Sequence, residues 1–184
     1  YHVDQWYALT QTAAIGVSTL SDVANGVPKM LRLTQSQAAA QRMGSAQIIE
    51  ASASKVYRGS DVTLSGKIRT SGAATVRFAV LEWTGTADAV TSDVVLSWTS
   101  GTFTPGNFFL TSNLVVAATG SLALSANAVT DFALVATVSS ACNNLIVVFW
   151  TDAALAQTAT LDCRAKLEWG GTATPWVAPD PEIE

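Results

Sequence analysis

The chain has 184 residues and a net charge of −4, and 49% of its residues are apolar whereas only 13% are charged. This length fits one domain over residues 1–184, and a charged fraction about half of the roughly 25% usual for soluble domains favours surface that is buried between protomers. The ten basic residues are scattered, which excludes an electrostatic footprint for nucleic acid, and the lack of any apolar run near ~20 residues excludes a membrane span.

The N-terminal third gives the weakest signals for secondary structure. Three segments there have the character of strands: Val3 to Thr12, Lys29 to Thr34, and Gln47 to Ala51. The Ala/Gln-rich stretch from Gln35 to Gln41 is too short for a convincing helix and predicts a loop. One helical turn is expected over Ser54 to Arg58, and no other stretch shows the i, i+3, i+4 pattern over three turns.

The rest of the chain carries clearer strand patterns. Val62 to Arg69 alternates apolar and polar side chains, which is the period of a half-buried strand. Ala74 to Trp83 follows a short turn, so these two segments predict an antiparallel hairpin. The other predicted strands are short and apolar or alternating: Val94 to Thr99, Leu114 to Ala118, Phe132 to Val138, Leu145 to Trp150, and Thr158 to Trp169.

These segments amount to about nine to eleven short strands separated by turn residues, with almost no helix. That pattern predicts an all-β fold, an antiparallel two-sheet sandwich of the jelly-roll type.

The two cysteines, Cys142 and Cys163, are predicted to be free thiols. If the last two predicted strands are neighbours around a turn, Cys163 is buried and lies opposite Val147, and Cys142 lies opposite Glu168. A disulfide needs Cα atoms within about 7 Å, which this pairing does not provide.

The sequence carries no recognisable catalytic apparatus. His2 is the only histidine and lies in the first residues, a poor position for a general base. Zinc needs several His or Cys ligands, and no glycine-rich phosphate loop opens a helix. Asp88 and Asp93 flank a loop and could contribute to a calcium site, but nothing else nearby is acidic. We therefore predict a protein that is not an enzyme, with no metal and no cofactor, and keep a two-acid glycan hydrolase as the least favoured alternative.

Tryptophan is more informative about function than the residue types that could support catalysis. Its ordinary role is packing in cores and interfaces, and its alternative role is a stacking platform for sugar rings. Trp83 and Trp98 each end a predicted strand beside a polar loop, and loops on a rigid sandwich often carry binding groups. We predict a ligand-binding site formed by Trp83 and Trp98 with the loop residues Asp88 and Asn107. The chain has six tryptophans in all: Trp6, Trp83, Trp98, Trp150, Trp169 and Trp176.

Short motifs follow one another in a recognisable order through nearly the whole chain. They are Val3 to Trp6 (similar to x-D-R-W), Arg58 to Ser65 (G-x-x-VTLS), Leu81 to Asp88, Trp98 to Phe103, Cys142 to Thr151, and Lys166 to Trp176 (similar to QLE-x-G-x-x-ATPF). Together they resemble the C-terminal β-sandwich, carbohydrate-binding-like module of phage tail-fibre and head-fibre virion proteins. The chain departs from that pattern at Gln5, where the family often has Arg, at Trp176, where it has Phe, and after Val177.

The resemblance implies a jelly roll that is displayed on the virion surface as the C-terminal part of a longer protein. Such modules are commonly homotrimers, and their other partners are virion proteins and, for some, a host-surface glycan. They have no motif-defined catalytic residues, so none is assigned here. Two functions follow as expectations. The first is non-catalytic adhesion to host-surface glycans for receptor binding. The second is a structural role as a capsid decoration or head-fibre domain that serves assembly and stability.

Overall fold

Two antiparallel sheets of five strands each make up the computed structural model, which describes residues 6–25, 27–91 and 93–175. Sheet I has the strand order β1-β4-β9-β6-β7, and sheet II has the order β2-β3-β10-β5-β8. The strands are β1 (Trp6–Thr10), β2 (Gly16–Asp22), β3 (Val27–Thr34), β4 (Met43–Ile48), β5 (Asp61–Thr70), β6 (Ala74–Trp83), β7 (Leu114–Leu124), β8 (Thr130–Thr137), β9 (Asn144–Thr151) and β10 (Thr160–Trp169).

Helix is confined to single turns within the described residues: Val23–Asn25, α1 (Ala51–Ser54) and Lys55–Tyr57. The helical turn expected over Ser54 to Arg58 is therefore confirmed in place, and so is the antiparallel two-sheet sandwich. None of these helices is long and apolar enough to cross a membrane.

The central strand β9 is buried along its whole length, as expected for a continuous apolar run of strand length. Side chains on its inner face, such as Val147 and Phe149, pack between the two sheets with Leu64 and Ile68 of sheet II. Side chains on its outer face, Val148 and Trp150, belong to a second apolar cluster on the far side of sheet I. Sheet I is therefore covered on both faces.

Two predicted strand pairings are wrong. β5 pairs with β8 and β10 in sheet II, whereas β6 pairs with β7 and β9 in sheet I, so the turn between β5 and β6 crosses between sheets instead of closing a hairpin. Likewise β9 and β10 lie in different sheets, and Cys163 lies opposite Leu31 and Ile68. The reason is general: alternation fixes which face of a strand is buried but does not choose its neighbour.

The thiol prediction survives this correction. Both cysteines are free and buried. Burial raises the pKa of Cys142 and of Cys163 to about 12, which leaves both as thiols near neutral pH.

Other differences concern which segments form strands and where those strands begin. Val94 to Thr99 forms no strand, because Val95 makes only an isolated bridge with Phe109. β4 begins at Met43, four residues before the predicted Gln47, and β2 occupies a stretch for which no strand was predicted. The prediction for Val3 to Thr12 holds for β1, and residues 3–5 lie outside the described part of the chain.

Candidate functional site

The connection between β6 and β7, residues 84–113, forms a third layer over the outer face of sheet I. Phe108 and Phe109 are fully buried, and the Phe108 ring stacks on Trp150 with centroids 5.1 Å apart. Phe109 meets the same indole edge-on at 5.5 Å. The centre of the broad apolar face of sheet I is therefore filled by the chain's own aromatic side chains.

Asp88 fastens the start of this layer to the sandwich. Its carboxylate accepts hydrogen bonds from the backbone N–H of Ala51 (2.8 Å) and from Nδ2 of Asn144 (2.7 Å), and its own N–H donates to Asn144 Oδ1 (3.0 Å). The bond from Ala51 and then the bond from Asn144 lower the pKa of this carboxyl group. Asp88 also has a positive φ of 59°, which short polar side chains tolerate. The structure thus gives Asp88 a positioning role.

Trp83 and Asn107 make contacts that shape their own loops. The Trp83 indole is partly buried and donates from Nε1 to the carbonyl of Thr86 at 2.8 Å. Asn107 is exposed, and its Nδ2 donates to Thr104 Oγ1 at 3.0 Å within a tight turn. Whether either residue also binds a ligand stays a prediction.

Trp98 lies beside a small cleft on the β1 side of sheet I. The cleft has a volume of about 210 Å³ and is lined by Ala8, Leu9, Thr10, Asp93, Val95 and Trp98. One edge of the half-buried indole packs against Phe108 (centroids 5.7 Å, 79°), and Arg42 donates from Nη1 to the carbonyls of Trp98 and Ser100. The cleft thus brings together a tryptophan, a threonine and an aspartate, residue types whose side chains can bind the ring and the hydroxyls of a sugar.

The predicted site does not come together as one pocket. Trp83 pairs with Asn144 at the first residue of β9, whereas Trp98 packs on Phe108, whose ring stacks on Trp150 near the last residue of that strand. Six residues of a strand span about 20 Å. Trp83 and Asp88 therefore lie near one end of sheet I, and Trp98 lies near the other.

The exposure of Trp169 could not be predicted from its pattern. This side chain is 59% exposed, the most exposed tryptophan among the described residues, and its ring lies 5.5 Å from that of Tyr57. Alternation along β10 puts Trp169 on the same face as Leu161 and Cys163, which are buried. The sequence signal that distinguishes it is position, because Trp169 is the last residue of the strand and is followed by Gly170 and Gly171.

The motif at the end of the chain has a structural explanation. Glu168 accepts hydrogen bonds from the N–H (2.9 Å) and the hydroxyl (2.5 Å) of Thr174, and Lys166 Nζ donates to the Thr174 carbonyl (2.6 Å). The hydroxyl and N–H of Thr174 and the ammonium of Lys166 lower the pKa of Glu168 to about 2. This network holds residues 173–175 against the outer face of sheet II, where they form one wall of a groove of about 620 Å³.

Two of the acidic side chains that the structure describes are held in buried structural contacts. Glu82 is buried, and Ser139 donates to its carboxylate from both N–H and hydroxyl. Asp162 is buried between two arginines. Among the described residues, no group of three or more His, Cys, Asp or Glu side chains could hold a metal ion.

No protein-family model and no curated protein matches the sequence, but solved structures share the fold. The CBM22-1 xylan-binding domain of Paenibacillus barcinonensis Xyn10C is 13% identical, with a TM-score of 0.55 over 91% of this chain and 87% of that one. The C-terminal family 22 carbohydrate-binding module of Clostridium thermocellum Xyn10B is 15% identical, with a TM-score of 0.53 over 95% of this chain and 91% of that one.

A phage protein has a domain of the same shape. Tailspike protein 4 of bacteriophage CBA120 is 13% identical, with a TM-score of 0.54 over 90% of this chain, which corresponds to only 19% of the tailspike chain. At such identities the likeness shows the fold alone. The chain has the β-sandwich fold of carbohydrate-binding modules, a fold that also occurs within a phage tailspike.

Proposed function

We infer that this domain is a non-catalytic adhesion module that binds host-surface glycans from the surface of a virion. The observation that carries the proposal is the Trp98 cleft. Trp98, which is partly buried, lines a concavity of about 210 Å³ together with Asp93 and Thr10. An aromatic face stacks on the C–H face of a sugar, and the oxygen atoms accept bonds from its hydroxyls. The β-sandwich fold that this chain shares with carbohydrate-binding modules also supports glycan binding.

The remaining predicted site residues support the cleft from a distance. Asp88 and Trp83 anchor the start of the segment 84–113, and Asn107 precedes the Phe108 ring on which Trp98 packs. We propose that they position the cleft rather than contact the sugar.

Trp98→Ala is expected to weaken glycan binding at least about tenfold, because it removes the stacking surface and opens the cleft. The measurement is binding of the purified protein to an array of bacterial surface polysaccharides, followed by calorimetric titration of the best binder. Leu96→Ala is the matched control, since Leu96 is 51% exposed in the same segment and does not line the cleft. Equal binding by the wild type and Trp98→Ala would remove the basis of the proposal.

We further propose that the domain acts as a homotrimer in contact with other virion proteins. The low charged fraction of 13% and the exposed side chains of Val23 (73%), Val115 (44%) and Val135 (46%) support burial of surface between copies. Light scattering after size exclusion is expected to give three times the 19.2 kDa of one chain. A mass of 19.2 kDa at all concentrations tested would contradict the trimer.

The structural alternative, a capsid decoration or head-fibre domain, rests on the same exposed apolar side chains. It predicts no binding to any polysaccharide on the array and a trimer whose removal makes the particle less stable. The array experiment therefore separates the two functions.

A further inference from the structure

A groove, which we call the sheet II groove, lies on the outer face of sheet II, whereas the Trp98 cleft lies against sheet I. Its volume is about 620 Å³, about three times that of the cleft. β5 places Leu64 in the core, so the next residue, Ser65, points outward. Lys67 lies on the same face, opposite Arg164 in β10 and Asp131 in β8. The floor is formed by six side chains of these three strands: Ser65, Lys67, Asp131, Ala133, Arg164 and Lys166.

Residues 173–175 form one wall of the groove, and Lys166 holds that wall in place. The ammonium of Lys166 donates to the carbonyl (2.6 Å) and to the hydroxyl (2.6 Å) of Thr174, and it lies 3.0 Å from Glu168 Oε1. Glu168 does not line the groove, and its carboxylate also accepts a bond from the N–H of Thr174 at 2.9 Å. Lys166 and Glu168 therefore shape the groove, and contacts with a ligand fall to the other side chains of the floor.

The Ser65 hydroxyl is the first of these groups. Ser65 is only 5% exposed and lines the groove, and its hydroxyl makes no hydrogen bond with any residue that the structure describes. The hydroxyl of Thr63, on the same face of β5, instead donates to the carbonyl of Gly170 at 2.6 Å. Because a buried hydroxyl without a partner costs free energy, a ligand that bonds to Ser65 is favoured. A serine hydroxyl both donates and accepts, which suits the hydroxyl of a sugar.

The second group is a pair of basic side chains, Lys67 and Arg164. Lys67 Nζ lies 2.8 Å from the Asp131 carboxylate, but Asp131 is 80% exposed, and a surface pair of this kind contributes little stability. An incoming carboxylate can therefore replace Asp131 at Lys67. Burial lowers the pKa of the Arg164 guanidinium, so a negative charge in the groove would offset the cost of burying this cation. The floor holds three basic side chains and one acidic one, although the whole chain has a net charge of −4.

Apolar surface completes the lining. Ala133 lies on the floor, and Ala173 and Pro175 lie on the wall. Binding sites for small molecules commonly combine such apolar surface with a few polar groups that fix the orientation of the ligand. A sugar that carries a carboxylate matches all parts of this lining, since it has a C–H face, hydroxyls and a negative charge.

We propose that the sheet II groove is a second saccharide-binding site, specific for sugars that carry a carboxylate, such as uronic acids. Lys67 and Arg164 bind the carboxylate, and Ser65 bonds to a ring hydroxyl. This inference rests on the proposed glycan binding and extends it to a second surface and to an acidic ligand class. The two sites lie on different sheets, so a variant of one leaves the other intact.

The test is retardation of the protein in native affinity gels that contain a carboxylate polymer. Polygalacturonate, alginate and hyaluronate are compared, and the methyl ester of the best binder serves as its uncharged counterpart. Lys67→Met and Ser65→Ala are each expected to weaken binding of the acidic polymer at least about threefold. Asp131→Asn is expected to strengthen it, because this change removes the carboxylate that competes for Lys67.

Three controls accompany these variants. Lys29→Met removes the same charge from an exposed lysine of β3 that does not line the groove, and it is expected to bind like the wild type. Arg164→Lys is expected to retain part of the binding that Arg164→Met loses, because it keeps the charge. All gels are repeated with Trp98→Ala, which leaves the groove unchanged.

The outcomes separate the groove from the cleft. If Lys67→Met and Asp131→Asn both bind the acidic polymer like the wild type, the groove is refuted, and the proposed function still stands if Trp98→Ala abolishes glycan binding. Equal retardation of Trp98→Ala by the polymer and by its methyl ester contradicts the ligand class, and so does equal retardation by polyglutamate. If none of the carboxylate polymers retards the protein, the groove is refuted, and the polysaccharide array decides the proposed function separately.

Discussion

Replacing Trp150 with alanine is expected to lower the free energy of unfolding by about 3–5 kcal/mol, the usual cost of removing a buried large aromatic side chain. Trp150 is completely buried and contacts three rings of the segment 84–113 at centroid distances of 5.1 to 5.5 Å: Phe103, Phe108 and Phe109. The cost arises because the cavity lies between sheet I and this segment and cannot close without moving both. Urea denaturation monitored by far-ultraviolet circular dichroism measures it.

Two further variants test whether the cost of Trp150→Ala comes from the loss of a buried ring. Trp150→Phe keeps a ring in the stack and removes an indole N–H that has no hydrogen-bond partner within the described chain, so it should cost clearly less than alanine. Trp169→Ala removes an exposed indole and should change stability by less than about 1 kcal/mol. If Trp150→Ala unfolds at the same urea concentration as the wild type, the segment 84–113 is a loosely attached cover. In that case the face of sheet I becomes available to a ligand.

Asp162→Ala is expected to destabilise the protein by a similar amount, about 3–5 kcal/mol, because it removes the fully buried carboxylate that bonds two partly buried arginines and leaves Arg32 without this partner. Asp162 is fully buried on β10 and accepts two bonds from Arg32 on β3 (2.7 and 2.8 Å) and one from Arg69 on β5 (2.9 Å). Arg69 also pairs with Asp22 on β2 at 2.7 Å. The network therefore joins four of the five strands of sheet II, and its loss should loosen the sheet as a unit.

The matched control is the exposed ion pair of the same sheet. Lys67 and Asp131 lie 2.8 Å apart, but Asp131 is 80% exposed, so Asp131→Ala should cost less than about 1 kcal/mol. The comparison is made by urea denaturation at low and at high salt. The cost of Asp162→Ala should depend on salt less than that of Asp131→Ala, because the Asp162 carboxylate is fully buried whereas Asp131 is exposed. Equal costs for the two variants would show that the buried network contributes no more than a surface pair.

How far the sequence predicts this fold depends on what each pattern encodes. The apolar run of β9 and the alternation of β5 identify strands and buried faces, which is why the sandwich is predictable. The alternation does not specify which strands pair with each other. β5 and β6 each bury one face in the core between the sheets, and this would be so whether they paired as a hairpin or lay in different sheets. The segment 84–113 is predicted least well, since Phe108 and Phe109 lie among turn residues and are buried by tertiary contacts alone.

The candidate site, like the fold, is only partly predictable from the sequence. Trp98 is predictable because it follows a strand-like segment and precedes a polar loop, and the structure adds Asp93 and Thr10 to its cleft. Trp83 shares that sequence context but lies about a strand length away, a separation that only the register with β9 reveals. For Trp169 the pattern is misleading. Alternation along β10 places it with core residues, but it is exposed because the strand ends there.

The most direct test of glycan binding through Trp98 is a ¹⁹F NMR titration of protein labelled with 5-fluorotryptophan, with resonances assigned by single Trp→Phe variants. The ligand is the polysaccharide bound best on the array. If Trp98 binds the glycan, its resonance shifts saturably with added glycan while that of the buried Trp150 stays fixed. A titration in which the glycan binds and the Trp98 resonance does not move would contradict this role of Trp98.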